Sequence, residues 1–275
     1  SMKNLIKRSL TGLLYVAAIV GAVMAGSWWM WGLLMFFAVL GVNEFNRITN
    51  SNFVSNTTSL LDIAGACLLI TAVSPGLDKL SLGATNTQII CLTGYFAYFI
   101  ARFIAQLYVH DGNPLSHLAH SIMGQVYVVF PLAALSILYL MGGKEITLCM
   151  FILIWLSDTG AFCVGSLCGK HKLFERISPK KSWEGFFGGL VFCIAAGAAF
   201  HYIFNILDLW TAMIFGAVVC VFGTWGDLVE SLIKRSLGVK DSGNILPGHG
   251  GILDRIDSLL LVVPATMLFL FIVLF

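Results

Sequence analysis

Uncharged, mostly apolar stretches alternate with short polar ones along the whole chain. Runs without Asp, Glu, Lys or Arg cover 9–43, 63–77, 80–101, 112–143, 146–157, 159–169, 185–207, 209–226 and 258–275. In hydrocarbon, backbone N–H and C=O groups must pair within their own segment, so apolar runs of about 20 residues predict helices. The first run is long enough for two spans, with a break near Gly26-Ser27. The run 112–143 predicts one span, about 122–141 around Pro131, preceded by a polar loop. The two runs flanking Asp158 predict a single span interrupted by that one charge. The pattern therefore predicts an all-α, polytopic integral membrane protein with about nine transmembrane helices. They fall near 10–25, 28–45, 60–74, 87–107, 122–141, 146–168, 185–205, 209–229 and 255–275, the third being the shortest.

Composition agrees with this pattern and removes its rivals. Hydrophobic residues make up 58% of the 275 and charged residues 11%, against roughly 45–50% and about 25% in soluble domains. The mean hydropathy is +0.90. So few charges could not cover a soluble surface, and such hydrophobicity excludes a disordered chain. A net charge of +2 gives no footprint for nucleic acid. Cys67, Cys91, Cys149, Cys163, Cys168, Cys193 and Cys220 all lie in apolar stretches without a CxxC pair, which predicts packing roles. A basic start (Lys3, Lys7, Arg8) precedes the first apolar run. A second run follows almost at once, so an N-terminal anchor is expected rather than a cleaved leader.

The basic residues set an expected orientation. With the N-terminus cytoplasmic, 13 of the 16 Lys and Arg residues fall on the cytoplasmic side. Lys79 and Lys144 fall opposite, and Arg102 lies inside the fourth span, where snorkelling to the interface is preferred over contact with a lipid phosphate. The C-terminus is then on the opposite side. The expected organisation is an N-terminal region, 1–150, of about five spans, and a C-terminal region, 151–275, with two cytoplasmic loops at 169–184 and 230–254. Those loops hold most of the charge and are where chemistry is expected.

Acidic residues in or beside the spans are the first candidates, because intramembrane ionisable groups are functional by default. Asp158 would lie roughly 18 Å into its span at the α-helical rise per residue. Asp227 is followed three residues on by Glu230, and Asp254 by Asp257; a spacing of three places both carboxylates on one helix face. Each could be bland, as a solvated helix end, a charge favoured at a helix N-terminus, or a structural pair for Asp158. All approach the same expected face, beside the basic loops. Carboxylate oxygens suit Mg²⁺, which also takes substrate phosphates. Acids for a metal flanked by Lys and Arg predict a site that handles phosphoryl groups.

The loops supply the anion binders. Ser178-Pro179-Lys180-Lys181-Ser182 precedes a helix N-terminus, where ammonium groups, hydroxyls and backbone N–H point the same way. Generic interfacial charge is the alternative for this run. Glu184 follows it, as a charge suited to a helix start. Lys234, Arg235, Lys240 and Asp241 lead into Gly243 and then His249-Gly250-Gly251. Such a glycine-rich turn before a helix can admit phosphates to the backbone, with Asp254-Arg255-Ile256-Asp257 immediately after.

These residues carry a resemblance. The run Ser231-x-Ile233-Lys234-Arg235-x4-Lys240-Asp241-x-Gly243-x2-Leu246-Pro247-x-His249-Gly250-Gly251-Ile252-x-Asp254-Arg255-Ile256-Asp257 is similar to the signature of the phosphatidate cytidylyltransferase (CDP-diacylglycerol synthase) family, without a gap. Trp155-x2-Asp158, Ser178-Pro179-Lys180-Lys181-Ser182-Trp183-Glu184-Gly185 and Gly226-Asp227-Leu228-x-Glu230-Ser231 also resemble it, and Asn43-Glu44-Phe45 resembles a weaker feature. The resemblance implies transfer of CMP from CTP to phosphatidic acid in the lipid bilayer of a bacterial inner (plasma) membrane, at a cytoplasm-facing site. It implies Mg²⁺ held by Asp227, Asp254 and Asp257, with Asp158 and Glu230 supporting, and a second cation such as K⁺ in the same cluster. Asp227, Asp254, Asp257, Lys234 and Arg255 are the expected catalytic residues. Ser178, Lys180, Lys181, Ser182, Arg235, Lys240, Asp241, His249, Gly250 and Gly251 are the expected substrate contacts. A homodimer stays open as the assembly. The rivals are a CTP-dependent polyprenol or phytol kinase, which lacks the full 231–257 run, and a transporter, against which no internal repeat is found. A CDP-alcohol phosphotransferase would need an Asp-Gly-x2-Ala-Arg motif, absent here.

Overall fold

In a computed structural model of the chain, residues 2–49, 56–74, 84–243, 245 and 250–274 are described. Nine α-helices carry them: α1 (Met2–Ala25), α2 (Ser27–Thr49), α3 (Asn56–Val73), α4 (Ala84–Gln106), α5 (Pro114–Gly124), α6 (Phe130–Cys168), α7 (Trp183–Phe204), α8 (Leu209–Ser236) and α9 (Leu253–Leu274). A π-helical turn, Gln125–Val129, joins α5 to α6. The helical, multi-pass expectation holds. Among the described residues, six segments are long and apolar enough to cross a membrane, and Leu10–Ala25 and Thr57–Val73 are shorter apolar helices. Large apolar side chains such as Trp29, Phe96, Ile100, Phe162, Val191 and Leu268 stand exposed, which suits lipid and not water.

Several expectations are corrected. The polar loop placed before residue 122 is shorter, because Asn113 caps a helix that starts at Pro114: its side chain accepts from the N–H of Leu115 (3.0 Å) and Ser116. Asn at the cap with Pro at the first helical position is a favoured start. The loop expected between spans five and six is a single backbone break at Gly143 (φ 71°) inside α6. That conformation is open to glycine, and Thr147 Oγ1 bonds the Gly143 carbonyl at 2.8 Å as the helix resumes. The expected loop 169–184 contains a two-stranded antiparallel ribbon, β1 (Lys172–Phe174) with β2 (Ser178–Ser182). Helix α6 runs through Asp158 without interruption.

The chain divides into two compact units. The first comprises residues 1–140 with 241–255. Its α2 packs on α1 and α3, and α3 on α4, around Met30, Leu34, Phe37, Phe45 and Ile70. A buried polar cluster centres on Asp62 of α3. Its carboxylate accepts from Tyr98 Oη (2.7 Å), Ser121 Oγ (2.8 Å) and Asn46 Nδ2 (3.0 Å), and Arg102 Nε lies 3.5 Å away. Arg102 also donates to Gln106 Oε1 at 3.0 Å. Arg102 is therefore buried in an ion-paired network, which corrects the snorkelling expectation: its charge is met by Asp62 within the helices.

The second unit comprises residues 141–240 and 256–275. Helices α7 and α8 pack so closely that a Cβ on Gly216 would run into the carbonyl oxygen of Cys193, the small-residue packing expected between membrane helices. The ribbon is seated through Leu173 and Ile177 on Leu228 of α8, which brings β2 beside Asp227.

Candidate active site

In the second unit, α8 carries Asp227 and Glu230, one turn apart. Asp227 is half-buried and Glu230 is buried. Helix α9 comes close to α8 at Gly226, where an added Cβ would lie 2.9 Å from the Asp257 carbonyl oxygen and 3.0 Å from Ser258 Cα. Asp257 sits on the first turns of α9, its Oδ1 accepting from the Ser258 N–H at 2.6 Å. The charges that act on it are Asp227, Glu230 and Asp158. Four expected carboxylates of this unit thus share one electrostatic neighbourhood.

Lysines neutralise part of that charge. Lys181, from β2, places Nζ 2.6 Å from Asp227 Oδ2. Lys234 places Nζ 2.5 Å from Glu230 Oε2, four residues along the same helix. Ser231 Oγ donates to Asp227 Oδ1 at 3.3 Å. A cavity of about 390 Å³ opens beside Asp227, within the usual size of small-molecule sites, about 300–1,000 Å³. Asp158, Ser166, Lys180, Lys181, Ser182 and Asp227 form its polar wall, and Phe162, Leu173 and Phe186 its apolar one. It offers two ammonium groups and a hydrocarbon surface, suited to an anionic group joined to an apolar body.

The ribbon is locked to α7 by two side chains. Ser182 caps α7, its Oγ accepting from the Gly185 N–H at 3.2 Å. Glu184 accepts from the N–H of Lys170 (3.1 Å) and of His171 (3.2 Å), and meets His171 Nδ1 at 2.6 Å. Ser182 is therefore a helix cap as well as a cavity wall, and Glu184 fixes the route of the chain into β1.

The first unit holds the remaining carboxylates. Asp254 Oδ2 accepts from the N–H of Gly251 (2.8 Å) and of Ser242 (3.0 Å), with Ser242 Oγ at 3.1 Å. Gly250 has φ +79°, and Arg255 is exposed, its carbonyl accepting from Tyr15 Oη at 2.9 Å. The Gly251 N–H, expected to meet substrate, thus donates to Asp254. Lys180, Arg235, Lys240 and Asp241 are exposed and Ser178 is half-exposed. His249 lies outside the described residues, as do Leu246, Pro247 and Lys79.

Sequence reasoning missed Asp62, which read as the edge of an apolar run. It also missed Ser166 and Thr224 on the cavity wall. Thr224 precedes Asp227 by three residues, a spacing that could have flagged it. Among the described residues, no group of three or more His, Cys, Asp or Glu side chains is drawn together as a metal cage. The donor set fits Mg²⁺ by type, being carboxylate oxygens alone, and the Lys181 ammonium stands against Asp227 as a cation already does.

The chain is similar to known proteins. The family model described as "Cytidylyltransferase family" matches residues 6–273. A phosphatidate cytidylyltransferase of Staphylococcus epidermidis is 36% identical over 240 residues, covering 84% of this chain and 87% of that protein. Proteins of the same name from Staphylococcus haemolyticus and Staphylococcus aureus are 50% and 49% identical over 124 residues, covering 44% of this chain and 47% of each.

Proposed function

The chain belongs to the cytidylyltransferase family, and we infer that it transfers CMP from CTP to phosphatidic acid, giving CDP-diacylglycerol and pyrophosphate. The family match over residues 6–273 carries the cytidylyl transfer, and the name of the 36% identical Staphylococcus epidermidis relative supports phosphatidate as the acceptor. An oxygen of the lipid phosphate attacks the α-phosphorus of CTP. The new P–O bond forms as the bond to pyrophosphate breaks. The attacking phosphate is ionised at neutral pH, so no strong general base is needed. The protein's task is to bring two anions together and align them.

The residues of the second unit suit that task. Lys181 and Lys234 pair with Asp227 and Glu230 and would exchange those partners for substrate phosphates. Lys180 lines the same cavity and adds a second ammonium there. Asp227 and Asp257 would hold Mg²⁺, with Glu230 and Asp158 supporting. Mg²⁺, when bound, neutralises charge on the phosphates of the transfer. The further expectations, that Asp254 joins this set and that K⁺ is a second cation, are tested with it. The site faces the cytoplasm in this reading, as the distribution of Lys and Arg supports.

The test is purified protein given phosphatidate, Mg²⁺ and CTP labelled at the α-phosphate, followed by lipid extraction. Label should enter the lipid phase only when phosphatidate is present. Chelation of Mg²⁺ should stop it, and added K⁺ should raise it. Label carried from the γ-phosphate to a free alcohol would overturn the reading in favour of a lipid kinase. Asp227→Asn, Asp254→Asn and Asp257→Asn should each reduce transfer by about 100-fold or more in folded protein, the scale of losing a group that stabilises transition-state charge. An Asp257→Asn variant that turns over normally would remove Asp257 from the metal set.

A further inference from the structure

We propose that Glu44 is a positioning residue for the transfer reaction: carried by α2, its buried carboxylate sets the start of α9 and, through Ser242, the place of Asp254. The inference rests on the functional reading above for the role of Asp254.

Glu44 is fully buried. Among the described residues no Lys, Arg or His forms an ion pair with it. Among the described residues its hydrogen-bond donors are Ser242, Ile252 and Leu253. Oε1 accepts from the Ile252 N–H at 2.9 Å, and Oε2 from the Leu253 N–H at 3.0 Å. Ser242 Oγ donates to Oε2 at 3.0 Å. Both oxygens of one side chain thus hold the two ends of the glycine-rich segment.

A helix start needs acceptors for its first N–H groups, and these usually come from Ser, Thr, Asp or Asn just before it. Here Gly250, Gly251 and Ile252 precede α9 and offer none. The acceptor comes instead from a residue 208 positions earlier in the chain. The glycines follow from the same arrangement. A Cβ on Gly243 would lie 2.8 Å from Glu44 Oε1, one on Gly251 would run into Ser242 Oγ and Glu44 Oε2, and one on Gly250 would lie 2.6 Å from Asp254 Oδ2. Gly243, Gly250 and Gly251 leave room for two carboxylates that pack against their backbone.

Ser242 links the two acids. Its Oγ lies 3.0 Å from Glu44 Oε2 and 3.1 Å from Asp254 Oδ2, and one hydroxyl proton serves one acceptor at a time. Changing Glu44 therefore alters what Asp254 receives, besides loosening the turn that carries it. Burying a carboxylate without a basic partner is a costly way to begin a helix. It makes sense where the direction of that first turn matters more than its stability.

The test compares Glu44→Gln, Glu44→Asp and Ser242→Ala with the parent protein, each purified and normalised to folded protein. In Glu44→Gln an amide N–H₂ would face one of the backbone donors. Its kcat should fall by about 10- to 100-fold, the effect of misplacing a reacting group by about 1 Å, while KM for CTP changes less. The Mg²⁺ concentration giving half-maximal rate should rise. Glu44→Asp should recover part of kcat, and Ser242→Ala should lower kcat by a smaller factor in the Glu44→Gln background than in the parent protein. Hydrogen exchange at the Ile252 and Leu253 amides reports the clamp without reference to activity, and at least one of the two should lose protection in Glu44→Gln. Unchanged protection overturns the clamp. Lost protection with parental kcat and Mg²⁺ dependence overturns the link to catalysis, while a fully active Asp254→Asn would locate the failure in the role of Asp254. Should Glu44→Gln not fold, Glu44→Asp and Ser242→Ala carry the same comparison, and parental values in both overturn the proposal.

Discussion

Replacing Asp62 with Leu should destabilise the first unit more than any other single change in its polar cluster. One carboxylate there ties four elements together: Asn46 of α2, Tyr98 and Arg102 of α4, and Ser121 of α5 all meet Asp62 of α3. Counting each neighbour as a hydrogen bond to a charged group, at about 1.5–3 kcal/mol apiece, would give a sum near the whole stability of a domain. That sum is too large, because side-chain bonds between membrane helices measure about 0.6 kcal/mol on average, the unfolded helices also finding partners. The larger effect is the stranded charge. Arg102 is buried, and removing one partner of a buried pair costs about 3–5 kcal/mol. Tyr98→Phe, which leaves the pair intact, should cost only about 0.6–2 kcal/mol. Removing both charges in Asp62→Leu/Arg102→Leu should cost less than Asp62→Leu alone, because no charge remains buried. Reversible unfolding in mixed micelles, followed by tryptophan fluorescence, gives all three values. A double variant that costs as much as Asp62→Leu alone or more, or an Asp62→Leu cost below about 1 kcal/mol, would refute the argument that the buried guanidinium dominates.

Two further outcomes are expected. Gly216→Val should push α7 from α8, since its Cβ meets the Cys193 carbonyl; a loss of about 1–3 kcal/mol in the same unfolding assay is the usual size for such overpacking. Asp208, which caps α8, has its carboxyl held below the ordinary 3.8, first by the Thr211 hydroxyl and then by the Thr211 N–H. The stabilisation from its charge is therefore present above that ordinary value and lost as pH falls through the lowered one. Asp208→Asn keeps a capping oxygen, so melting temperatures measured from neutral to acid pH should show the parent's advantage over this variant shrinking at the acid end.

How far the sequence could be read follows from the distance over which each feature is decided. Helices were legible because lipid forces every apolar run to satisfy its own backbone. The Asp227–Glu230 face was legible because its spacing of three belongs to one helix, whereas the Lys234–Glu230 pair, also within one helix, went unread. The Asn113-Pro114 start was also written locally, although the run 112–143 hid it. Arg102 was misread because its partner Asp62 lies 40 residues away on another helix, where neither periodicity nor loop charge points. Glu44 gave only a faint resemblance, because its donors lie 198 to 209 residues downstream. The two groups of acids differ in the same way in chemistry. Asp227 and Glu230 meet ammonium groups on side chains that can swing away. Glu44 and Asp254 meet backbone N–H groups and one hydroxyl that the fold holds in place. In the proposed transfer the first kind would open to admit phosphate, and the second would hold the start of α9 in place. The Lys234–Glu230 pair lies within one helix, whereas Lys181 reaches Asp227 from another element and Glu44 reaches Ile252 and Leu253 across most of the chain, so those contacts had to be found in three dimensions.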